Sequence, residues 1–215
     1  MKKILIVVGV AFLIGYLFFP NLFDEDQVQA IGGYTESSIP YISTSKSYAD
    51  ASDVRYFAHY LYANTFLFPN GKVGKIPYFW NGKANNINLE SGLDENFLSL
   101  KLENSPTHGN RYRPYGLDCS GYVVYVMWLS GYKSFPDGSQ NMFNQFDTIA
   151  AANATTGDLA FIDDNGTTSH VGIISLESGI KYVYHSEGGN GIVKTRLDES
   201  LSTYFTTVKA NPYVN

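Results

Sequence analysis

A single cysteine, Cys119, in 215 residues excludes any disulfide within the chain. Charge is also scarce. Only 16% of residues are charged, the net charge is -5, and no lysine or arginine cluster follows Lys2 and Lys3, so a nucleic-acid partner is not expected. There is no H-E-x-x-H, and Asp163, Asp164 and His170 have no recognisable ligand spacing, so neither a metal site nor a cofactor is expected. Internal repeats are lacking too. With 44% hydrophobic residues, the chain can build one domain with a substantial core, but not a second catalytic domain.

The longest apolar run lies at the N-terminus, where Met1-Lys2-Lys3 precedes residues 4–19, as in an export signal. The run is slightly long for a cleaved signal and slightly short for a membrane span of about 20 residues. The small-residue site Val28-Gln29-Ala30 lies beyond the acidic Asp24-Glu25-Asp26, which favours an uncleaved membrane anchor over secretion. Having no following cysteine, the run cannot end in a lipid-modified one. Residues 1–30 are therefore read as signal or anchor, 31–47 as a Gly/Ser/Thr-rich linker, and 48–215 as the folded domain.

The stretch Y-G-L-D-C-S-G-Y-V-V-Y-V-M-W-L-S-G, residues 115–131, puts the lone thiol where it becomes reactive. Asp118 is a favoured helix N-cap, residues 122–129 are apolar on every face, and Gly131 supplies a stop, which predicts a buried helix with Cys119 in its first turn. Backbone amides and the helix dipole there favour an anion, and the thiolate is the nucleophile. His170 opens S-H-V-G-I-I-S and His185 closes Y-V-Y-H, both in strand-like runs separated by the turn signal L-E-S-G. A two- or four-residue loop between them puts both histidines on one sheet face, so that one imidazole can take the thiol proton while the other orients it.

The segments P-Y-F-W-N-G-K (77–83), Y-G-L-D-C-S-G-Y-V, G-D-L-A-F-I (157–162), S-H-V-G-I and Y-V-Y-H resemble, in order, the motifs of the NlpC/P60 cysteine peptidases. The resemblance runs from about residue 47 to the C-terminus. It implies a papain-like α+β fold, with N-terminal helices, one carrying the cysteine, packed on an antiparallel sheet of about five strands. It further implies hydrolysis of peptidoglycan stem peptides between D-glutamate and the diamino acid, outside the cytoplasmic membrane. On this resemblance Cys119 matches the nucleophile, His170 the base and His185 the orienting group. Tyr78, Asp118 and Ser120 match positions that contact substrate. Two alternatives share these residues: a thiol acyltransferase or amidase of the same architecture, and a non-catalytic exported module that binds the wall.

Elsewhere, Val54, Phe57, Ala58 and Leu61 predict an amphipathic helix within 48–65, capped by Ser47 or Ser52, with His59 off its apolar stripe and solvated. Residues 84–114 read as an unusually long loop, a wall or lid of the cleft, with His108 inside it. A weak helix is expected near 140–152. Strands are expected at 158–162, 170–175, 180–185, 191–196 and 204–209, and helices before an antiparallel sheet is the α+β pattern.

Overall fold

The computed structural model describes residues 28–30, 40–42, 44–67, 73–78, 80, 82, 101–105, 109–113, 116–200 and 204–215. Of the expected signal or anchor, residues 1–30, the first 27 lie outside them, as does His108. Among the described residues no helix is long and apolar enough to cross a membrane.

The first long element is helix α1, Ala51–Ala63. It buries Val54, Phe57, Ala58 and Leu61, the stripe expected from their spacing. Its N-cap is Asp50 rather than either serine, and Lys46 bridges Asp50 and Asp53 with ion pairs of 2.5 and 2.9 Å. Asp53, the acidic residue of the first turn, suits the helix dipole.

Helix α2, Cys119–Leu129, has no solvated face, and every one of its residues is buried. As expected, Asp118 caps it, its carboxylate accepting from the Gly121 amide at 2.7 Å, and the chain leaves it through Gly131 at φ +92°. The short helix α3, Ser139–Gln145, is half the length expected. Phe146 leaves it extended, and the chain then forms an edge strand, Thr148–Ile149, and a 3-10 turn, Ala151–Asn153. The weak apolar pattern after Gln145 therefore belongs to a sheet edge.

In chain order the strands are β1 Val28–Ala30, β2 Pro40–Ile42, β3 Phe66–Leu67, β4 Val73–Gly74, β5 Lys101–Ser105, β6 Gly109–Arg113, β7 Thr148–Ile149, β8 Leu159–Asp164, β9 Thr167–Glu177, β10 Ile180–Glu187, β11 Gly191–Arg196 and β12 Thr207–Lys209. The last six make one antiparallel sheet in the order β11-β10-β9-β8-β12-β7. Two tight hairpins set its register. Asn165 and Gly166 turn β8 into β9, and Ser178 and Gly179 turn β9 into β10, all four at positive φ as type I′ turns require. Within 84–114, β5 and β6 form a hairpin, and the remainder of that segment lies outside the described residues.

The sheet divides its side chains by alternation. Leu159, Phe161, Val171, Ile173 and Tyr184 join α1 and α2 in the main core, whereas Ala160, Ile174, Val183, Phe205 and Val208 form a smaller cluster on the other face. The packed unit also begins upstream of residue 48. Ile42 is buried, its carbonyl accepts from Lys133 Nζ at 2.8 Å, and the Lys46 amide donates to the Gly131 carbonyl at 2.9 Å. At the other end the C-terminus is tied to the start of α1 by the Ala49–Tyr213, Asn215–Ala49 and Ala51–Asn215 backbone bonds.

Gly121 marks the tightest approach to α2, because a Cβ there would collide with the Gly82 carbonyl oxygen. Gly121→Ala is expected to lower unfolding stability by about 1–3 kcal/mol through overpacking. Urea denaturation measures this, and an unchanged midpoint would contradict the close approach.

Candidate active site

The N-terminus of α2 is held on two sides. On one, the Leu117 amide donates to the Pro77 carbonyl at 3.0 Å and the Asp118 amide to the Gly82 carbonyl at 3.1 Å, with Tyr78 bridging Leu117 in parallel. On the other, Ser186 Oγ donates to the Leu117 carbonyl at 2.7 Å. Cys119 is thereby held beside the C-terminal end of β10, one residue beyond His185. The Asp118 carboxylate also accepts from Ser120 Oγ at 3.1 Å, and both side chains are buried. What the geometry shows for this pair is the cap.

His170 on β9 and His185 on β10 meet. The β9–β10 hairpin turns on two residues, since Glu177 pairs with Ile180, so both histidines project from one face, as the two-residue loop predicts. His170 Nε2 lies 2.8 Å from His185 Nδ1, and His185 Nε2 lies 3.0 Å from Thr195 Oγ1 on β11. Gly172 makes the approach possible, because a Cβ there would press on Val183 and stand 2.9 Å from His185 Cβ. The chain of contacts has one consistent polarity when His170 is charged: its Nε2–H donates to His185 Nδ1, and His185 Nε2–H donates to Thr195. Nδ1 of His170 is the ring nitrogen that this chain leaves for another partner.

Both rings are buried, and burial lowers their proton affinity, to about 3 for His170 and about 4 for His185. For His170 the neighbouring His185 lowers it further and Glu187 opposes the shift. Tyr204 and Phe205 close over the pair, with ring centroids 5.2–6.2 Å from the imidazoles. The Tyr204 hydroxyl donates to Glu187 at 3.1 Å, and its proton affinity is pushed up to about 12 by burial, by Glu187 and by Cys119. Tyr204 thus stands near both histidines and the cysteine.

Of the residues expected at the site, Cys119, Asp118, Ser120 and Tyr78 cluster at the start of α2, and His170 and His185 pair on the sheet beside it. Thr195, Glu187 and Tyr204 were not anticipated. Glu187 carried a signal, since it follows His185 by two on the same strand and shares its face, whereas Tyr204 is brought in by tertiary folding alone. His59 stands apart on α1. It is exposed, as expected, but its Nδ1 lies 3.0 Å from the Tyr184 hydroxyl, which itself donates to Glu177 at 2.6 Å. Among the described residues no group of three or more His, Cys, Asp or Glu is arranged to hold a metal ion.

The family model of the NlpC/P60 family matches residues 74–210, and the chain belongs to that family. No curated protein sequence matches it. Among solved structures, the NlpC/p60 domain of the peptidoglycan hydrolase SagA is 17% identical, with 75% of this chain covering 99% of that one at a TM-score of 0.45. The P60 domain of an antigen from M. avium subspecies paratuberculosis is 18% identical, with 75% and 96% covered at 0.49. RipD from Mycobacterium tuberculosis, described as a non-catalytic NlpC/p60 domain protein adapted to peptidoglycan binding, is 17% identical, with 77% and 99% covered at 0.48.

The buried histidines make stability depend on pH with a definite sign. Their folded-state proton affinities lie below the usual 6.5, so from about pH 6.5 down to about 4 the unfolded chain binds more protons and acidification destabilises the fold. A loss of roughly 2–4 kcal/mol across that window is expected, and a smaller loss in His170→Gln. Thermal melts at stepped pH measure it, and identical slopes in the two proteins would contradict the buried neutral pair.

Proposed function

We propose that the protein is a cysteine peptidase that cuts peptidoglycan stem peptides between D-glutamate and the diamino acid, acting outside the cytoplasmic membrane. Family membership supports the substrate class. The observation that carries the chemistry is the buried His170–His185 hydrogen bond standing beside a helix whose first residue is the chain's only thiol. In this reading Cys119 is the nucleophile, His170 the base and His185 the group that orients it. The N-terminal apolar run would tether the enzyme at the membrane or direct its secretion.

The proton path balances. The Cys119 proton moves to His170 Nδ1, and Nε2–H of the resulting imidazolium donates to His185. The thiolate adds to the glutamyl carbonyl carbon, and the oxyanion forms facing the amides at the start of α2, where the helix dipole favours negative charge. Tyr78, half-buried and bridged to Leu117, is the position that the family resemblance assigns to substrate contact. Collapse expels the amine of the diamino acid, which takes the proton from His170, and leaves a thioester on Cys119. Water then attacks the thioester, giving its proton to His170 and returning a carboxylate and the thiol. Asp118 and Ser120 hold the loop at which the N-terminal side of the substrate would lie.

Incubating the full chain with purified sacculi, and identifying fragments by mass, tests both bond and substrate. New amino termini on the diamino acid are expected from intact, glycan-linked wall. Hydrolysis of free tripeptide and tetrapeptide alone would move the enzyme to peptide recycling, and a crosslinked product would mark acyl transfer. Cys119→Ala and His170→Ala are expected to lose at least a hundredfold in turnover, while His185→Gln keeps measurable activity. A near wild-type Cys119→Ala would remove the nucleophile assignment.

A further inference from the structure

Glu187 follows His185 by two residues on β10 and so projects from the same face. Its Oε2 lies 4.0 Å from His185 Nδ1, the atom that meets His170. Two side chains hold the carboxylate there: the Tyr204 hydroxyl donates to Oε2 at 3.1 Å, and Asn190 Nδ2 donates to Oε1 at 2.6 Å. With 27% of its side chain exposed, Glu187 sits where a charge is screened less than in open water.

The other charged groups on the surrounding elements are engaged elsewhere. Asp163 on β8, beside the residue that pairs with His170, accepts from the Gly166 amide and Thr207 Oγ1. On β11, Lys194 is paired with Glu177 and Arg196 with Asp198. Asp118 caps α2. Tyr204 stays neutral, its proton affinity pushed up to about 12, and Cys119 becomes negative only by giving up the proton itself. Of these groups, it is Glu187 that raises the proton affinity of His170 against the burial that lowers it.

We propose that Glu187 is a positioning residue for the Cys119, His170 and His185 chemistry, an anion held by Tyr204 and Asn190 so that its charge stabilises the imidazolium formed when His170 takes the thiol proton. The inference rests on the peptidase reading for its functional meaning. Its physical basis is separate. Proton transfer from Cys119 creates a positive charge on a ring that burial keeps neutral, and a buried cation needs a compensating group. His185 cannot supply the charge, because it is itself neutral. Besides the thiolate, the carboxylate 4.0 Å from His185 Nδ1 can, and its own two donors keep it from turning away.

Glu187→Gln retains the side-chain shape and an oxygen to accept from Tyr204 but removes the charge. The full-length protein is treated with iodoacetamide across the pH range. Cys119 is the only thiol, so the alkylation rate reports the thiolate–imidazolium pair directly. The upper inflection, where the imidazolium loses its proton, is expected to move down by about one pH unit in Glu187→Gln. The alkaline limb of kcat/KM on peptidoglycan fragments should move with it. An unmoved inflection in the folded variant overturns the proposal, as does a wild-type profile with no such inflection. Should Glu187→Gln fail to fold, Tyr204→Phe frees the carboxylate from one of its two tethers. A smaller downward shift in that variant supports the proposal, and no shift overturns it. If the inflection moves yet no wall fragment is ever cut, the role of Glu187 stands and the peptidase reading fails.

Discussion

A helix buried on every side must have its first turn finished by protein groups, and that constraint governs the molecule. For α2 the Asp118 carboxylate closes the turn, while the backbone just before it is fastened to the Gly82 and Pro77 carbonyls and to Ser186. These bonds do two jobs. They satisfy polar groups that burial would otherwise strand, and they set the position of Cys119 against β10 to within a hydrogen bond. Gly121 completes the arrangement, because the absence of a side chain admits the Gly82 carbonyl.

The sheet answers with a polarity of its own. Val171, Ile173 and Tyr184 pack in the main core with the helices, Ile174 and Val183 alternate with them into the smaller cluster with Phe205, and the histidines stand against the rings of Tyr204 and Phe205. Two imidazoles are therefore set among Phe205, Tyr204 and aliphatic neighbours, an environment that keeps them neutral and lets them share one short hydrogen bond. The Gly157-Asp158 pair contributes at a distance. Asp158 accepts from the Thr155 and Asn211 amides, while Asn211 donates to the Gly157 carbonyl, so the start of β8 and the end of β12 are locked together.

Much of this was readable from residue order. Asp118 before an apolar run declares a capped, buried helix, and L-E-S-G between two β-branched runs declares a hairpin whose two-residue loop fixes the face of His170 and His185. Where reading fell short, tertiary contacts had overridden local signals. Ser47 and Ser52 are both acceptable caps, yet Asp50 takes the place because Lys46 pairs with it and with Asp53. The stretch after Gln145 has helical character but is recruited as β7 by pairing with β12, which lies some sixty residues on. Ile42 sits in a Ser- and Thr-rich segment that reads as linker and is nevertheless buried. Of the site, the residues named by spacing and motif were accessible. Tyr204 was not, since no periodicity connects it to a histidine nineteen positions earlier.

The central claim is that Cys119, activated by the histidine pair, carries the acyl group. Mixing the full-length protein with a muropeptide, quenching in acid within the first turnover and mapping peptide masses tests it most directly. A thioester adduct is expected on the peptide that contains Cys119, its mass equal to the stem up to and including D-glutamate. Products that accumulate with no adduct on Cys119 at any time, and at the same rate when Cys119 is replaced by alanine, would contradict it.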